Sequence, residues 1–369
     1  MAACLGEEVN LSTLHPFLKR NETPTPSGST IVSYTSDLGE GPVLWLFAGV
    51  VHAPKADYHS FRHVATILGD KISLYIPEVG HLSSGCSISS GTLFLYRTSH
   101  LNKSSPLSTF DPNFLQLPGY GLSTATPTFD RRTVANTLFA AATTLFPNRP
   151  FILCGHDRGA RTVHRLAVDH AHPPSSNPPQ PPFTLLGTII LDIVPTLTQW
   201  AAFASAPASV AYFHWPFLAS PSSAAIINSY GGGRWTRDAL SRIQGSNATA
   251  QEMFRSDRAC EVYCSLFDKH ETVEGSCADY AAAADPEPQM QEEDQREGRK
   301  VRGDVLVMWS LAKLGKMHGD VGAIWREWVD DGERLEAVGV GEGVGHYLPE
   351  EASEFVAGRI ADFVDKVTK

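Results

Sequence analysis

Seven short runs along the chain, "TIVSYT", "VLWLFAG", "KISLYIP", "FILCG", "GTIILDIV", "DVLVMWS" and "RLEAVGV", are apolar at most positions rather than strictly at alternate ones. A strand with one face in water alternates polar and apolar residues, so runs this uniform are expected to be covered on both faces. Stretches with helical spacing recur between them. Strand, loop, helix in repetition dictates an α/β fold, a mostly parallel sheet flanked by helices. In such a sheet the ligand site lies beyond the carboxyl ends of the strands.

A chain of 369 residues accommodates one large domain with an inserted piece. Between "DIVPT" and "RKVRGDVLVMW" no comparable apolar run occurs, and aromatics and helix formers dominate. Residues 198–299 therefore read as a helical cap that divides the sheet domain into 1–197 and 300–369. The end of the cap, "DPEPQMQEEDQREGRK", reads as a solvated loop or helix face. The Pro-rich "HAHPPSSNPPQPPF" cannot be regular structure and reads as a surface connector. Residues 79–116 separate "LYIPE" from "LPGYGLST", the turn that would normally follow it, and compact domains seldom carry so long a structureless loop. Two readings stand: a functional lid, or a retained intron. Valine codons begin GT, glutamine can be coded CAG, and excision would restore "IPELPGYG".

Apolar residues make up 42% and charged residues 19%, the balance of a globular enzyme rather than a disordered or membrane protein. Forty acidic against thirty basic side chains leave a net charge of −10, so no broad basic surface invites nucleic acid and any anion recognition is local. The six cysteines (Cys4, Cys86, Cys154, Cys260, Cys264, Cys277) form no C-x-x-C pair and no zinc spacing, which implies reduced thiols and no metal. "MAACLGEEVNLSTLHPFLKR" lacks the apolar core of a signal peptide, and "VLWLFAGVV" is too short to span a bilayer. The expectation is a cytoplasmic chain with no membrane segment, acting on a small molecule without an organic cofactor.

"CGHDRGARTVHR" follows the apolar "PFIL" and opens a helical pattern, the layout of a nucleophile elbow with Asp157 in the exposed position. A carboxylate there is unsuited to acyl transfer, because its adduct with an acyl group would be a labile anhydride. It can attack a saturated carbon bearing a leaving group, and water activated by a base can then reopen the resulting alkyl ester. The base is expected on a loop after the last strand, where "VGVGEGVGHYLPEE" supplies His346 ahead of an amphipathic terminal helix. Asp192, at a strand end in "IILDIVPT", is the expected orienter, with Asp320 after "DVLVMWS" as the alternative.

Taken together, "GHDRGARTVHRLAVDH", "LDIVPT", "YFHWPFLA", "YGGGRW", "CADYAAAA" and "GVGHYLPEE" resemble the α/β-hydrolase superfamily, and within it the haloacetate (fluoroacetate) dehalogenases with their epoxide-hydrolase cousins. The similarity runs from about Thr30 onward, broken at 79–116. The resemblance implies Asp157 as nucleophile, Asp192 as acid and His346 as base, with Arg158 and Arg161 holding a substrate carboxylate. It further implies that His214, Trp215 and Tyr280 cradle the departing halide, and that the protein is a homodimer. The chemistry agrees: guanidinium forks bind carboxylates bidentately, and all three cradle residues can donate a hydrogen bond.

One departure concerns the loop after the "VLWLFAG" strand, where the family usually has His-Gly-aromatic-Pro and this chain has His52-Ala53-Pro54. The register of an oxyanion donor there is open. Hydrolytic dehalogenation of a short 2-haloacid is the leading reading. An epoxide hydrolase is the rival: it uses the same Asp and His, commonly has Trp where this chain has Arg158, and needs tyrosines over the ring oxygen, for which Tyr280 and Tyr212 are available. From another class, the scaffold could serve as a catalytically silent binding protein.

Overall fold

The computed structural model describes residues 14–49, 59–78, 123, 126, 128–175, 183–332 and 334–369. Its sheet has eight strands: β1 (Lys19–Pro24), β2 (Thr30–Ser36), β3 (Val43–Gly49), β4 (Ser73–Pro77), β5 (Phe151–Asp157), β6 (Leu185–Leu191), β7 (Asp304–Ser310) and β8 (Leu335–Val340). Their order is β1-β2-β4-β3-β5-β6-β7-β8. Strands β1 and β2 pair antiparallel, as do β2 and β4, and every pair from β4 to β8 is parallel.

The apolar runs become strands because both faces of the sheet are covered. Along β3, Val43, Trp45 and Phe47 join the core on one side, while Leu44 and Leu46 join the core on the other. The first core lies under helices Arg131–Leu145 and Arg158–Ala171, the second under Arg62–Leu68 and Ser353–Val367. Each fully buried side chain of this size contributes about 1.5–3 kcal/mol through removal from water. Strand β1, "KRNETP", has no such pattern and was not among the expected strands. It is an edge with only Thr23 buried, held by backbone pairing to β2.

Between β6 and β7 the described chain is helical, from Thr196–Ala202 to Glu287–Arg296. The polar end of this cap is not simply solvated. Glu287, Gln291 and Asp294 on Glu287–Arg296 are buried, and Asp294 pairs with Arg165 of the sheet domain at 2.5 Å. A second strut is Arg62, whose Nη1 donates to Glu350 at 2.5 Å while Nη2 donates to the cap carbonyls of Met253 (3.0 Å) and Phe254 (3.1 Å). Residues 79–116, with both readings offered for them, and His52-Ala53-Pro54 lie outside the described residues. Among the described residues no helix is long and apolar enough to cross a membrane.

Candidate active site

Strand β5 runs directly into helix Arg158–Ala171, and Asp157 takes the turn between them with φ 49° and ψ −119°. A non-glycine residue in that region costs on the order of 1–3 kcal/mol and persists only where its surroundings enforce it. Here the enforcement is close packing of backbone. A β-carbon on Gly155 would stand 2.5 Å from Ala160 Cα, and one on Gly49 would stand 2.7 Å from Gly159 N. The small residues around Asp157 thus let the helix start against the strand ends.

His346 follows β8 on a loop and reaches both expected carboxylates. Its Nδ1 lies 2.6 Å from Asp192 Oδ2, and its Nε2 lies 3.5 Å from Asp157 Oδ2. A carboxylate only accepts, so Nδ1–H donates to Asp192 and Nε2 faces Asp157. Burial works against the imidazolium, but the two carboxylates outweigh it and raise the His346 pKa to about 10. Asp192 is itself fixed, since its Oδ1 accepts from the Ser310 N–H at 2.6 Å. The alternative orienter, Asp320, instead caps helix Val321–Arg326 through the Ala323 N–H at 2.8 Å.

Three residues outside the sequence reading hold this loop. His156, fully buried beside Asp157, donates Nε2–H to the His346 carbonyl at 2.8 Å, and burial lowers its pKa to about 3 so that it stays neutral. Ser310 Oγ donates to the Val344 carbonyl at 2.7 Å. Glu351 accepts from Gly345 N (2.6 Å) and Tyr347 N (3.3 Å) on the loop, and from Gly245 N (2.9 Å) in the cap. Adjacency to Asp157 or the His346 loop is a sequence signal for His156 and Glu351 but not for Ser310, and only the Glu351 contacts to Gly345 and Tyr347 are local in the chain.

The two arginines diverge. Arg161 lines a cavity of about 760 Å³ together with Asp157, Asp192 and His346. Its Nη1 donates to Thr196 Oγ1 (2.8 Å) and Val194 O (3.1 Å), its guanidinium carbon lies 4.5 Å from the Trp215 ring centre, and Nε has no hydrogen-bond partner among the described residues. Arg158 does not line that cavity. Its Nε donates to Asp279 Oδ2 at 2.5 Å, its Nη2 to the Asp279 carbonyl at 2.9 Å, and it stacks under Tyr280 at 4.5 Å.

The expected cradle is likewise divided. His214 and Trp215 line the cavity, as does Tyr212. Tyr280 is packed edge-on against Trp215, with centres 5.6 Å apart, and its buried hydroxyl has no hydrogen-bond partner among the described residues. Burial lowers the His214 pKa well below the usual imidazole range, which keeps the ring neutral. Among the described residues no group of three or more His, Cys, Asp and Glu is arranged to hold a metal ion.

No family model matches the chain. A fluoroacetate dehalogenase from Burkholderia sp is 30% identical over 175 residues, 47% of this chain, and the match spans about half (52%) of that protein's length. In shape, the chain is similar to a candidate α/β hydrolase from Nostoc sp PCC 7120 (TM-score 0.70, 22% identity, 94% of this chain and 98% of the other). It is equally similar to a candidate epoxide hydrolase from Pseudomonas aeruginosa (TM-score 0.71, 21% identity, 96% and 97%). With a mostly parallel eight-stranded sheet, a strand-to-helix elbow at Asp157 and a helical cap before β7, the chain has the α/β-hydrolase fold.

Proposed function

We propose that this protein is a hydrolase acting at a saturated carbon through an alkyl ester on Asp157. The observation that carries the reading is the line Asp192, His346, Asp157, with 2.6 Å and 3.5 Å between successive side chains at the elbow. An Asp157 oxygen attacks the carbon, the bond to the leaving group breaks with its electron pair, and the ester forms. Esterification removes the Asp157 charge, one of the two that hold the proton on His346. The imidazole then loses that proton to solvent, and the neutral ring takes a proton from water as the water oxygen attacks the ester's carboxyl carbon. The Arg158 N–H, first in its helix and without an intrahelical acceptor, can donate to the oxyanion that forms. Collapse breaks the bond to the alkoxide, which leaves as the alcohol with the proton from His346; the new carboxyl group gives its own proton to the imidazole, restoring the Asp157 carboxylate and the protonated ring.

A short 2-haloacid is the leading substrate. Arg161 offers its guanidinium on the cavity wall beside Asp157, and His214 and Trp215 stand on the same wall as donors for the departing halide. A second reading, epoxide opening, is favoured by one observation: the Tyr212 hydroxyl group belongs to a residue lining the cavity, where it can protonate the ring oxygen. The deciding experiment is mass spectrometry of a His346→Asn variant incubated with haloacids and with epoxides. A covalent adduct on the peptide containing Asp157 is expected. Absence of adduct with every compound in both panels rejects the ester mechanism, and the panel that labels identifies the leaving group.

A further inference from the structure

The cavity above Asp157 carries more positive charge than a two-carbon acid uses. Arg242, Lys313 and Lys316 line it together with Arg161. Arg242 and Lys316 are exposed and Lys313 is half-buried, whereas Asp157, Asp192 and Arg161 are buried. The three cations therefore mark the mouth, and the carboxylates the floor. Between them the wall is apolar, with Ile193, Pro207, Leu314 and Met317 among its residues. At about 760 Å³ the cavity is of the size that takes a drug-sized ligand, roughly 300–1,000 Å³, and larger than haloacetate needs.

The mouth cluster is built rather than incidental. Lys313 Nζ donates to the Arg242 carbonyl at 3.1 Å, and the Lys313 N–H donates to Ser310 Oγ at 3.1 Å, the hydroxyl that also holds Val344. Arg242 lies over the Phe213 ring, 4.8 Å from its centre. No carboxylate forms an ion pair with any of the three among the described residues; Asp238, which accepts from the Tyr230 hydroxyl at 2.7 Å, acts on Arg242 only at longer range. Burial lowers the Lys313 pKa, and Lys316 and Arg242 push it the same way against Glu351. On a chain of net charge −10, three cations with no ion pair among the described residues, offset only at longer range by Asp238 and Glu351, gather anions at one opening.

We propose that the natural substrate is an elongated amphiphilic anion, whose carboxylate-type head sits on Arg242, Lys313 and Lys316 while its apolar chain delivers the reactive saturated carbon to Asp157. The inference rests on the ester mechanism proposed above and departs from the short 2-haloacid, which it makes a truncated analogue of the natural substrate. Head and reactive carbon lie at opposite ends of the molecule, so a 2-haloacid is a truncated substrate that cannot reach the mouth and loses binding there.

The test compares an ω-bromoalkanoate of medium chain length with the matching neutral 1-bromoalkane, in the wild type and in a triple variant Arg242→Gln, Lys313→Gln, Lys316→Gln. The wild type is expected to favour the anion, and the anion-to-neutral ratio of kcat/KM to fall about tenfold or more in the triple variant. Because the ratio is read within each variant, loss of folded protein lowers both rates and does not imitate the effect. The exposed single change Lys316→Glu should lower the ratio in the same direction. Equal wild-type rates for anion and neutral probe, or a ratio indifferent to the cations, overturn the inference and leave the ester mechanism standing. If instead neither probe nor bromoacetate labels Asp157 in the His346→Asn variant, the mechanism fails and the inference fails with it.

Discussion

Gly245, just past the end of a cap helix, and Gly345, beside His346, meet backbone to backbone: a β-carbon on Gly345 would lie 2.1 Å from Gly245 N. Glu351 ties the pair by accepting from both amides, and His346 N donates to the Ile243 carbonyl at 3.2 Å. The loop that carries the base is therefore seated on the cap, not on the sheet domain alone. A Gly345→Ala methyl would meet the Gly245 and Gln244 backbone as well as a Glu351 carboxylate oxygen, so backbone must shift, at a cost of about 1–3 kcal/mol. A misplacement of roughly 1 Å at a reacting group costs on the order of 10²-fold in rate. The expected outcome is a fall of about that size in kcat, with KM changing less. Wild-type kcat in a variant of lowered melting temperature would show that the cap contact serves stability alone.

His346 makes a signed prediction for pH. Its folded pKa, about 10, is above the unfolded value of about 6.5. A raised pKa means the folded state binds the proton more tightly, so this stabilisation is full below about pH 6.5 and is lost as pH rises through about 10. Chemical denaturation across that window should show wild-type stability declining more steeply than that of His346→Asn. Parallel profiles for the two proteins would mean that the carboxylates do not hold a proton on the ring.

How far the sequence reaches differs between scaffold and site. β3 to β7 are legible because both faces are buried, and burial on both faces leaves a uniform apolar run. Strand β1 is illegible for the opposite reason: "KRNETP" pairs on one side, faces water, and is placed by the β2 backbone rather than by its own side chains. The meeting of Asp157, Asp192 and His346 can be read because each sits at or just beyond a strand's carboxyl end, where a parallel sheet gathers them. The fate of Arg158 cannot be read. Its partner Asp279 lies 121 positions away on cap helix His270–Ala284, and only docking of the cap decides whether that arginine faces a substrate or a carboxylate of its own chain.

Substrate class can be split with two substitutions. Tyr212 and Arg161 line one cavity but offer different chemistry, a neutral donor and a fixed cation. If the substrate is an epoxide, Tyr212→Phe removes the proton source for the ring oxygen, and kcat should fall by about 10²–10⁴-fold, the usual range for a lost general acid. If it is a haloacid, Tyr212→Phe should change kcat little, while Arg161→Gln should raise KM by about tenfold or more through loss of the charge-assisted contact to the carboxylate. Steady-state kinetics of both variants on both substrate classes make the comparison. A haloacid KM unmoved by Arg161→Gln would remove that arginine from substrate binding.

Asp279 bridges Arg158, at 2.5 Å, and Arg131, also at 2.5 Å, and all three side chains are buried or nearly so. Removing the shared carboxylate leaves the Arg158 guanidinium with no carboxylate among the described residues and Arg131 with Glu287 at 3.4 Å, in a poorly solvated site. Breaking a buried pair from one side typically costs about 3–5 kcal/mol, so Asp279→Asn should lower the denaturation midpoint substantially, while the double variant Asp279→Asn, Arg158→Met should recover part of the loss. The same change releases Arg158 from the only carboxylate that holds it among the described residues. Affinity for a short carboxylate such as acetate, measured by competitive inhibition, should therefore rise in Asp279→Asn relative to wild type if a freed Arg158 swings toward Asp157 and Arg161. An inhibition constant that does not change, in protein shown to be folded, would mean that the stack on Tyr280 holds Arg158 away from the cavity without help from Asp279.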